Sequence, residues 1–242
     1  MYLNNIRIVL VATSHPGNIG AAARAMKNMG LHRLYLVRPK HFPDSRAHEM
    51  AAGADDVLEN AVITDSLEDA LSECHWVFAT SARAREMALP GYLPASCASK
   101  IAEASPDTEI AIVFGREHAG LTNEELARCH YHIHIPSNPV FSSLNLAQSV
   151  QILAYEVRMK HMNPEPHVMT HQEPLANIKD VELFHKHLED TLIKLDFIHI
   201  KHPKRLLQRL RRLFNRVQLE VLEVNLLRGI LTQIQRLCVQ KQ

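Results

Sequence analysis

Residues 6–30 read IRIVLVATSHPGNIGAAARAMKNMG, and this stretch decides the fold. The run Ile6–Val11 is apolar apart from Arg7, which is typical of a strand that is buried on both faces of a sheet. Residues Ile19–Met29 are rich in alanine and methionine and predict a helix that ends at Gly30. A buried strand, a short loop and a helix together form the first half of a βαβ unit.

The same rhythm continues to about residue 160. Further strand-like runs occur at Leu34–Val37, Trp76–Thr80, Ile110–Phe114 and Tyr131–Ile135. Capping boxes at Ser66-x-x-Asp69 and Thr122-x-x-Glu125 predict helix starts between them. A long helix is predicted over Asn145–His161. The chain is therefore predicted to be an α/β protein with a mostly parallel sheet.

The C-terminal third has a different pattern. Residues 162–176 contain three prolines and few apolar residues, and this composition predicts a linker. After it, helices are predicted at Asp180–Leu195, Lys204–Val217 and Glu220–Leu237. We therefore expect a first domain over 1–161, a linker over 162–176 and a small all-helical domain over 177–242.

Charge is divided unevenly between these parts. Residues 1–164 carry 14 Lys+Arg against 17 Asp+Glu, a net charge of −3, whereas residues 165–242 carry 13 against 9, a net charge of +4. One face of the predicted helix Lys204–Val217 carries six cations, Lys204, Arg205, Arg209, Arg211, Arg212 and Arg216. Like charges without an acidic partner repel one another. We therefore predict that this face contacts a nucleic-acid backbone, with an ordinary solvated helix face as the alternative.

Other patterns exclude several classes of protein. The four cysteines form no C-x-x-C pair, which argues against a zinc site and a disulfide framework. His130, His132 and His134 alternate along one strand without an acidic or cysteine partner, so a polar strand face is predicted rather than a metal site. No segment approaches the ~18 consecutive apolar residues of a membrane span, and no secretory signal pattern is present. These observations predict a cytoplasmic protein that binds no metal and no membrane.

Three segments that follow strands have the composition of ligand loops. They are Pro16–Gly20, Phe114–Leu121 and Ile135–Leu146. The first is neither a G-x-G-x-x-G nor a Walker loop, so it gives no direct support for a nucleotide cofactor. From its shape alone, Pro16–Gly20 is equally interpreted as a tight turn without a ligand. Arg24, taken alone, is interpreted as a surface arginine with ordinary hydrogen-bond partners.

Taken together, the three segments resemble the three motifs of the SPOUT methyltransferases. The matching residues are Asn18-Ile19-Gly20-Ala21-Ala22-Ala23-Arg24, then Phe114-Gly115-Arg116-Glu117 with Gly120-Leu121, then Ile135-Pro136 with Ser143-Leu144-Asn145-Leu146. The branch is that of the TrmH-type tRNA ribose methyltransferases. The tail, through Phe184, Arg211–Phe214 and Leu227–Leu231, is similar to bacterial members that methylate cytidine or uridine at nucleotide 32 of the anticodon loop.

The resemblance implies a fold and a cofactor. The end of the sheet domain is expected to form a trefoil knot, which is an exception to the rule against knots. The protein is expected to be a homodimer in which both protomers build each active site. S-adenosylmethionine is expected in the knot, surrounded by Thr80, Ser81, Ala82, Gly115, Ile135, Ser142, Ser143 and Leu144.

The resemblance also implies catalytic roles. The arginine matching Arg24 is proposed in this family to activate the ribose 2′-hydroxyl, but a guanidinium with a pKa above ~12 is a poor base. We expect Arg24 instead to hold a phosphate and to stabilise developing alkoxide charge, and a substrate phosphate is one possible proton acceptor. Glu117, Asn18 and Asn145 are expected to position the ribose or hold the loops. Ser143 is expected to contact the cofactor or the sugar.

Three alternatives remain at this point. In the first, the enzyme methylates the ribose of a different nucleotide, in tRNA or in rRNA. In the second, the chain is a noncatalytic RNA-binding dimer that keeps the knot as a scaffold, although the intact set of Asn18, Arg24 and Asn145 argues against this. A nicotinamide- or flavin-dependent enzyme is disfavoured, because the glycine fingerprint and its acidic ribose partner are missing.

Overall fold

The computed structural model describes residues 2–81, 89–162, 174–198 and 204–239. The chain divides into two compact units, residues 1–169 and residues 170–242. Most of the predicted linker lies outside the described residues, and the domain limits stay a prediction.

The first unit is built on a parallel sheet. Its strands are β1 Ile6–Val11, β2 Arg33–Val37, β3 Val62–Thr64, β4 Trp76–Thr80, β5 Gly91–Tyr92, β6 Ile110–Phe114 and β7 Tyr131–Ile133. Their order is β3-β2-β1-β6-β4-β7-β5, and each neighbouring pair is parallel. The predicted α/β class is therefore confirmed. The sequence patterns missed β3 and β5, because strands of three and two residues show no periodicity.

Helices alternate with these strands. A 3₁₀ helix, Tyr2–Asn5, precedes β1, and the α-helices are α1 Pro16–Asn28, α2 Ser45–Ala51, α3 Asp55–Glu59, α4 Leu67–Leu71, α5 Pro94–Ala102, α6 Asn123–Leu126 and α7 Leu146–Met162. Ser66 and Thr122 are N-caps, as the capping boxes predicted. Helix α1 begins three residues before the predicted start at Ile19, because Pro16 has the backbone angle that suits the first helical turn.

The charged residue inside β1 is buried and paired. Only 1% of Arg7 is exposed. Its guanidinium donates to the Ala70 carbonyl at 3.0 Å and to the Glu109 carboxylate at 2.8 Å, and it lies 4.5 Å from the centre of the Tyr35 ring. Burial of a charge is tolerated only with such partners. All six residues of β1 are therefore in the core, as the apolar run predicted.

Close packing of α1 against α2 depends on one glycine. A Cβ atom at Gly20 would lie 1.9 Å from the carbonyl oxygen of Ala47 in α2. Any larger residue would force the two helix backbones apart. Gly20 thus fixes the position of α1, and with it the positions of Asn18 and Arg24.

The described part of the second unit is helical. It contains α8 Ile178–Lys194, α9 Lys204–Asn215 and α10 Val221–Val239. Asn177 caps α8, because its side-chain oxygen accepts a hydrogen bond from the Asp180 backbone N–H at 2.9 Å. A small core holds the unit together, formed by Ala176, Val181, Phe184, Leu219, Val224 and Leu231. The predicted helical C-terminal region is confirmed.

The prediction of one polar strand face for His130, His132 and His134 is wrong for His130, which lies directly before β7. His130 is buried, and its Nδ1 accepts a hydrogen bond from the Val77 backbone N–H at 3.0 Å. Burial lowers the pKa of His130 to about 4. Among the described residues no group of three or more His, Cys, Asp or Glu side chains is placed to hold a metal ion. Within those same residues, no helix has the length and apolar character needed to cross a membrane.

His130 makes the stability of the first unit depend on pH. Its pKa is about 4 in the folded chain against 6.5 for an ordinary histidine. The unfolded chain therefore takes up the proton first, and the free energy of unfolding decreases as the pH falls from about 6.5 to about 4. In His130→Asn the amide oxygen still accepts from Val77 without titrating. We expect the stability difference between wild type and variant to vary over this pH range in urea titrations, whereas parallel curves would contradict the assignment. His32→Gln, at an exposed histidine, is the control.

Candidate functional site

Three loops lie at the carboxyl edge of the sheet. The first loop (residues 12–15) follows β1, the second loop (residues 115–122) follows β6, and the third loop (residues 134–145) follows β7. Strands β1 and β6 are neighbours, and β7 is separated from β6 only by β4. Because all these strands are parallel, their carboxyl ends meet at one edge, where ligands bind in sheets of this kind.

The Glu117 carboxylate joins the second loop to the first. One oxygen accepts hydrogen bonds from the His15 backbone N–H at 3.2 Å and the Asn18 amide at 3.1 Å. The other accepts from the Ser14 backbone N–H at 3.1 Å and the Ser14 hydroxyl at 3.0 Å. Burial of Glu117 raises its pKa, but its hydrogen bonds with backbone N–H groups and Asn18 outweigh that effect and lower the pKa to about 2. The side chain is therefore a carboxylate at neutral pH.

Asn18 and Asn145 extend this connection to the third loop. The Asn145 amide donates to the Asn18 side-chain oxygen at 3.0 Å. The Asn145 side-chain oxygen accepts from the backbone N–H groups of Ala147 at 2.9 Å and Gln148 at 3.3 Å, which caps α7. Glu117, Asn18 and Asn145 thus form a hydrogen-bonded chain that joins the second loop, the first turn of α1 and the third loop, and we call it the loop network.

Two members of this region, Ser14 and His15, were not predicted from the sequence. Ser14 and His15 supply three of the four donor groups described for Glu117. Their position in the sequence is a usable signal, because polar residues directly after a buried central strand lie at the ligand-binding edge. The hydrogen bonds that the Glu117 carboxylate accepts from backbone N–H groups, however, cannot be predicted from the sequence pattern.

A pocket of about 250 Å³ lies beside the loop network. Most residues predicted to surround the cofactor line it: Thr80, Ser81, Gly115, Ile135, Ser142, Ser143 and Leu144. Ala82, the remaining predicted residue, lies outside the described residues. The Ser137 hydroxyl donates to the Ser142 carbonyl at 3.0 Å and so shapes the third loop around the pocket. The structure brings these side chains together, and their contact with a cofactor stays a prediction.

The second loop is tightly closed upon itself. Backbone hydrogen bonds of 3.2 and 2.8 Å join Arg116 and Gly120. The Arg116 guanidinium forms two hydrogen bonds of 2.9 Å with the Glu125 carboxylate, which also accepts from the Thr122 backbone N–H at 2.7 Å. A Cβ atom at Gly115 would lie 2.2 Å from the Gly120 carbonyl carbon. The close backbone approach within the second loop therefore requires glycine at position 115.

Arg24 does not line the pocket. Its side chain is exposed, whereas the neighbouring Ala23 and Ala25 are buried. It lines an open cleft of about 540 Å³ together with His15, Asn18, Asn145, Gln148 and other residues of α1 and α7. This cleft and the pocket share no lining residue. One chain therefore does not place Arg24 in its own pocket.

One cation on the basic face of α9 has an acidic partner. Arg211 is half-buried and pairs with Glu182 of α8, with an Nη2–Oε2 distance of 2.9 Å. The interpretation that all six cations lack an acidic partner is therefore wrong for Arg211, because its partner comes from another helix. Arg209, Arg212 and Arg216 are exposed, and the side chains of Lys204 and Arg205 lie outside the described residues.

Comparison with known proteins identifies the family of the chain. Residues 5–155 match the model of the SpoU rRNA Methylase family, and residues 179–242 match that of the tRNA methyltransferase TrmJ C-terminal domain. The chain belongs to the SpoU methylase family. Within it the chain resembles the TrmJ proteins over nearly its whole length, and it is a methyltransferase. The family resemblance predicted from the three motifs is confirmed.

Individual TrmJ relatives support this placement. The tRNA (cytidine/uridine-2'-O-)-methyltransferase TrmJ of Pectobacterium atrosepticum is 50% identical over 241 residues, which cover 97% of this chain and 98% of that protein. The crystal structure of TrmJ from Z. mobilis has a TM-score of 0.84 at 35% identity and covers 95% of this chain and 98% of that chain. The SpoU methyltransferase AviRb from Streptomyces viridochromogenes, solved in complex with AdoMet, is 20% identical over 66% of this chain and 58% of that one. Its TM-score of 0.53 shows likeness of fold alone.

Gly115 offers a test of the pocket. Overpacking costs about 1–3 kcal/mol, so we expect Gly115→Ala to distort the second loop and weaken S-adenosylmethionine binding at least about tenfold. The control is Gly91→Ala, because a Cβ atom at Gly91 meets nothing within 4 Å. Titration calorimetry measures the affinity and thermal melting checks the fold. Equal affinity of Gly115→Ala and wild type would show that the second loop does not shape the binding site.

Proposed function

We propose that this chain is an S-adenosylmethionine-dependent tRNA ribose 2′-O-methyltransferase that acts on cytidine or uridine at nucleotide 32 of the anticodon loop. The single observation that carries the proposal is the loop network beside the pocket, because it joins Glu117, Asn18 and Asn145 at the ligand-binding edge of the sheet. The substrate class is supported by the names of relatives that match nearly the whole chain.

The pocket lining suits S-adenosylmethionine. Ile135 and Leu144 offer an apolar surface for the adenine, and Ser81, Ser142 and Ser143 offer hydroxyl groups for the ribose and the amino-acid end. When bound, S-adenosylmethionine supplies an electrophilic methyl group on its sulfonium sulfur. The trefoil knot expected for this family is part of the same proposal.

We place Arg24 in an active site that two protomers build. Arg24 lies outside the pocket of its own chain, so a homodimer in which it faces the partner's pocket brings it to the substrate. There its guanidinium holds a phosphate next to the target ribose and stabilises the negative charge that develops on the 2′-oxygen. Asn18 and Asn145, which line the same cleft, position the ribose.

The C-terminal helices bind the body of the tRNA in this proposal. The exposed cations Arg209, Arg212 and Arg216 contact backbone phosphates, which supplies affinity and register rather than choice of base. With a tRNA substrate, the protein is expected to act in the cytoplasm.

The function is tested by incubating the protein with labelled S-adenosylmethionine and unmodified tRNA transcripts, followed by nucleoside mass spectrometry. We expect a 2′-O-methylated pyrimidine at nucleotide 32. Arg24→Ala removes the charge-stabilising group and is expected to lower kcat/KM at least about 100-fold. Arg46→Ala, at an exposed arginine of α2, is the control.

Other outcomes would change the proposal in defined ways. Methylation at another nucleotide would keep the reaction and change the target. Cofactor binding without methylation of any tRNA would point to rRNA. Absence of cofactor binding would favour the noncatalytic RNA-binding dimer.

The basic face of α9 gives a second prediction. Replacing Arg209, Arg212 and Arg216 together by Ala removes up to three phosphate contacts. Affinity falls with salt, so the slope of log affinity against log salt is negative. Each lost contact should make this slope less steep by about 0.7–0.9, so we expect a total change of about 2–3 and weaker tRNA binding. Binding is measured by fluorescence anisotropy at several salt concentrations.

A matched control separates local contact from net charge. Lys179, Lys186 and Lys194 are exposed on α8 in the same unit, and replacing all three by Ala removes the same total charge. If both triple variants lose the same affinity, the effect is one of overall charge and the assignment to α9 is wrong.

A further inference from the structure

The proposed reaction requires a group that accepts a proton. The ribose hydroxyl loses its proton when its oxygen attacks a methyl group, and none of the residues predicted as catalytic suits this task. A guanidinium such as that of Arg24 stays protonated at neutral pH. The amides of Asn18 and Asn145 and the hydroxyl of Ser143 are not bases at that pH.

Glu117 is also unsuitable, although it is a carboxylate. Both of its oxygens already accept hydrogen bonds from Ser14, His15 and Asn18. Its pKa of about 2 makes it a very weak base. Protonation of Glu117 would also break the contacts that hold the first and second loops together.

Two imidazoles remain among the described side chains that line the cleft and the pocket. His15 lines the cleft with Arg24, and His118 lines the pocket. Both are exposed, and their ring centres lie 6.4 Å apart in an edge-to-face arrangement. Imidazole is the side chain that changes protonation near neutral pH, which makes these two the chemical candidates.

The surroundings favour His15. Its backbone N–H donates to Glu117 at 3.2 Å, and its carbonyl accepts from the Asn18 backbone N–H at 3.0 Å. Pro16 follows and restricts His15 to the extended conformation that it has, with φ −104° and ψ 112°. The backbone of His15 is thus fixed by the loop network, while its ring is free to approach a substrate in the same cleft as Arg24.

We propose that His15 is the catalytic base of this enzyme, an inference that rests on the proposed function. A lone pair of the ribose 2′-oxygen forms the new bond to the methyl carbon, the carbon–sulfur bond breaks with its electron pair going to sulfur, and the hydroxyl proton passes to an imidazole nitrogen of His15. The exposed ring then releases the proton to water. Among the described residues, the charged or titratable side chains that line the cleft or contact His15 are Arg24 of α1 and Glu117 and His118 of the second loop, while α7 contributes the neutral Gln148 and Gln151 and α2 contributes Met50.

The pH dependence of the reaction tests the proposal. For wild type, log kcat should rise with pH within the range of about 5–8 in which histidines titrate. In His15→Gln we expect this rise of log kcat with pH to disappear and kcat at pH 7.5 to fall at least about 100-fold. The affinity for S-adenosylmethionine and for tRNA should be unchanged. His32→Gln, directly before β2 and therefore at the opposite edge of the sheet from the loops, should keep wild-type kinetics. The proposal is overturned if log kcat of His15→Gln still rises with pH as in wild type, or if His118→Gln alone removes this rise.

A second measurement does not depend on turnover. Histidine nitrogen resonances are recorded by NMR with S-adenosylhomocysteine and two tRNAs, one unmodified and one with a single 2′-deoxy substitution at the nucleotide mapped as the target. A contact between the 2′-hydroxyl and His15 predicts a difference between the two complexes at His15 and not at His32. Identical His15 resonances would contradict the contact. Failure of the proposed function is distinguishable, because wild type would then methylate no tRNA at any pH.

Discussion

The carboxylate of Glu117 is the group on which the candidate site depends. A half-buried negative charge is stable only when donors surround it, and here Ser14, His15 and Asn18 supply them. The same bonds satisfy backbone N–H groups directly after β1. Through Asn18 the effect reaches Asn145 and the start of α7. The conformation of each loop therefore depends on contacts made by another.

Two glycines allow the backbone to come close enough for this network. Gly20 lets α1 approach α2, which sets the position of Asn18, and Gly115 lets the second loop close beneath Glu117. In both places the atoms that a Cβ would meet belong to the backbone, which cannot move aside as a side chain can. Steric constraint and electrostatic constraint thus act on the same few residues, and the pocket results from their combination.

Charged residues divide into those that stabilise the fold and those that face solvent. Arg7 pairs with Glu109, Arg116 with Glu125 and Arg211 with Glu182, whereas Arg24, Arg209, Arg212 and Arg216 are exposed. The sequence does not distinguish Arg211 from the other cations of α9, because local spacing does not reveal a partner 29 residues away. Exposed cations are the better candidates for phosphate contact, since binding then requires no internal ion pair to break.

The sequence by itself determined the α/β class, the main strands and helices, and the three motifs that identify the family. These follow from hydrophobic periodicity, capping residues and the spacing of residues within short motifs, all of which are local. Tertiary structure alone decided that Glu117 binds Ser14 and His15, that Arg24 lies outside the pocket of its own chain, and that Arg211 is paired. The reason is physical: such contacts join residues that are distant along the chain, and their partners are set by how strands and helices pack rather than by any local pattern.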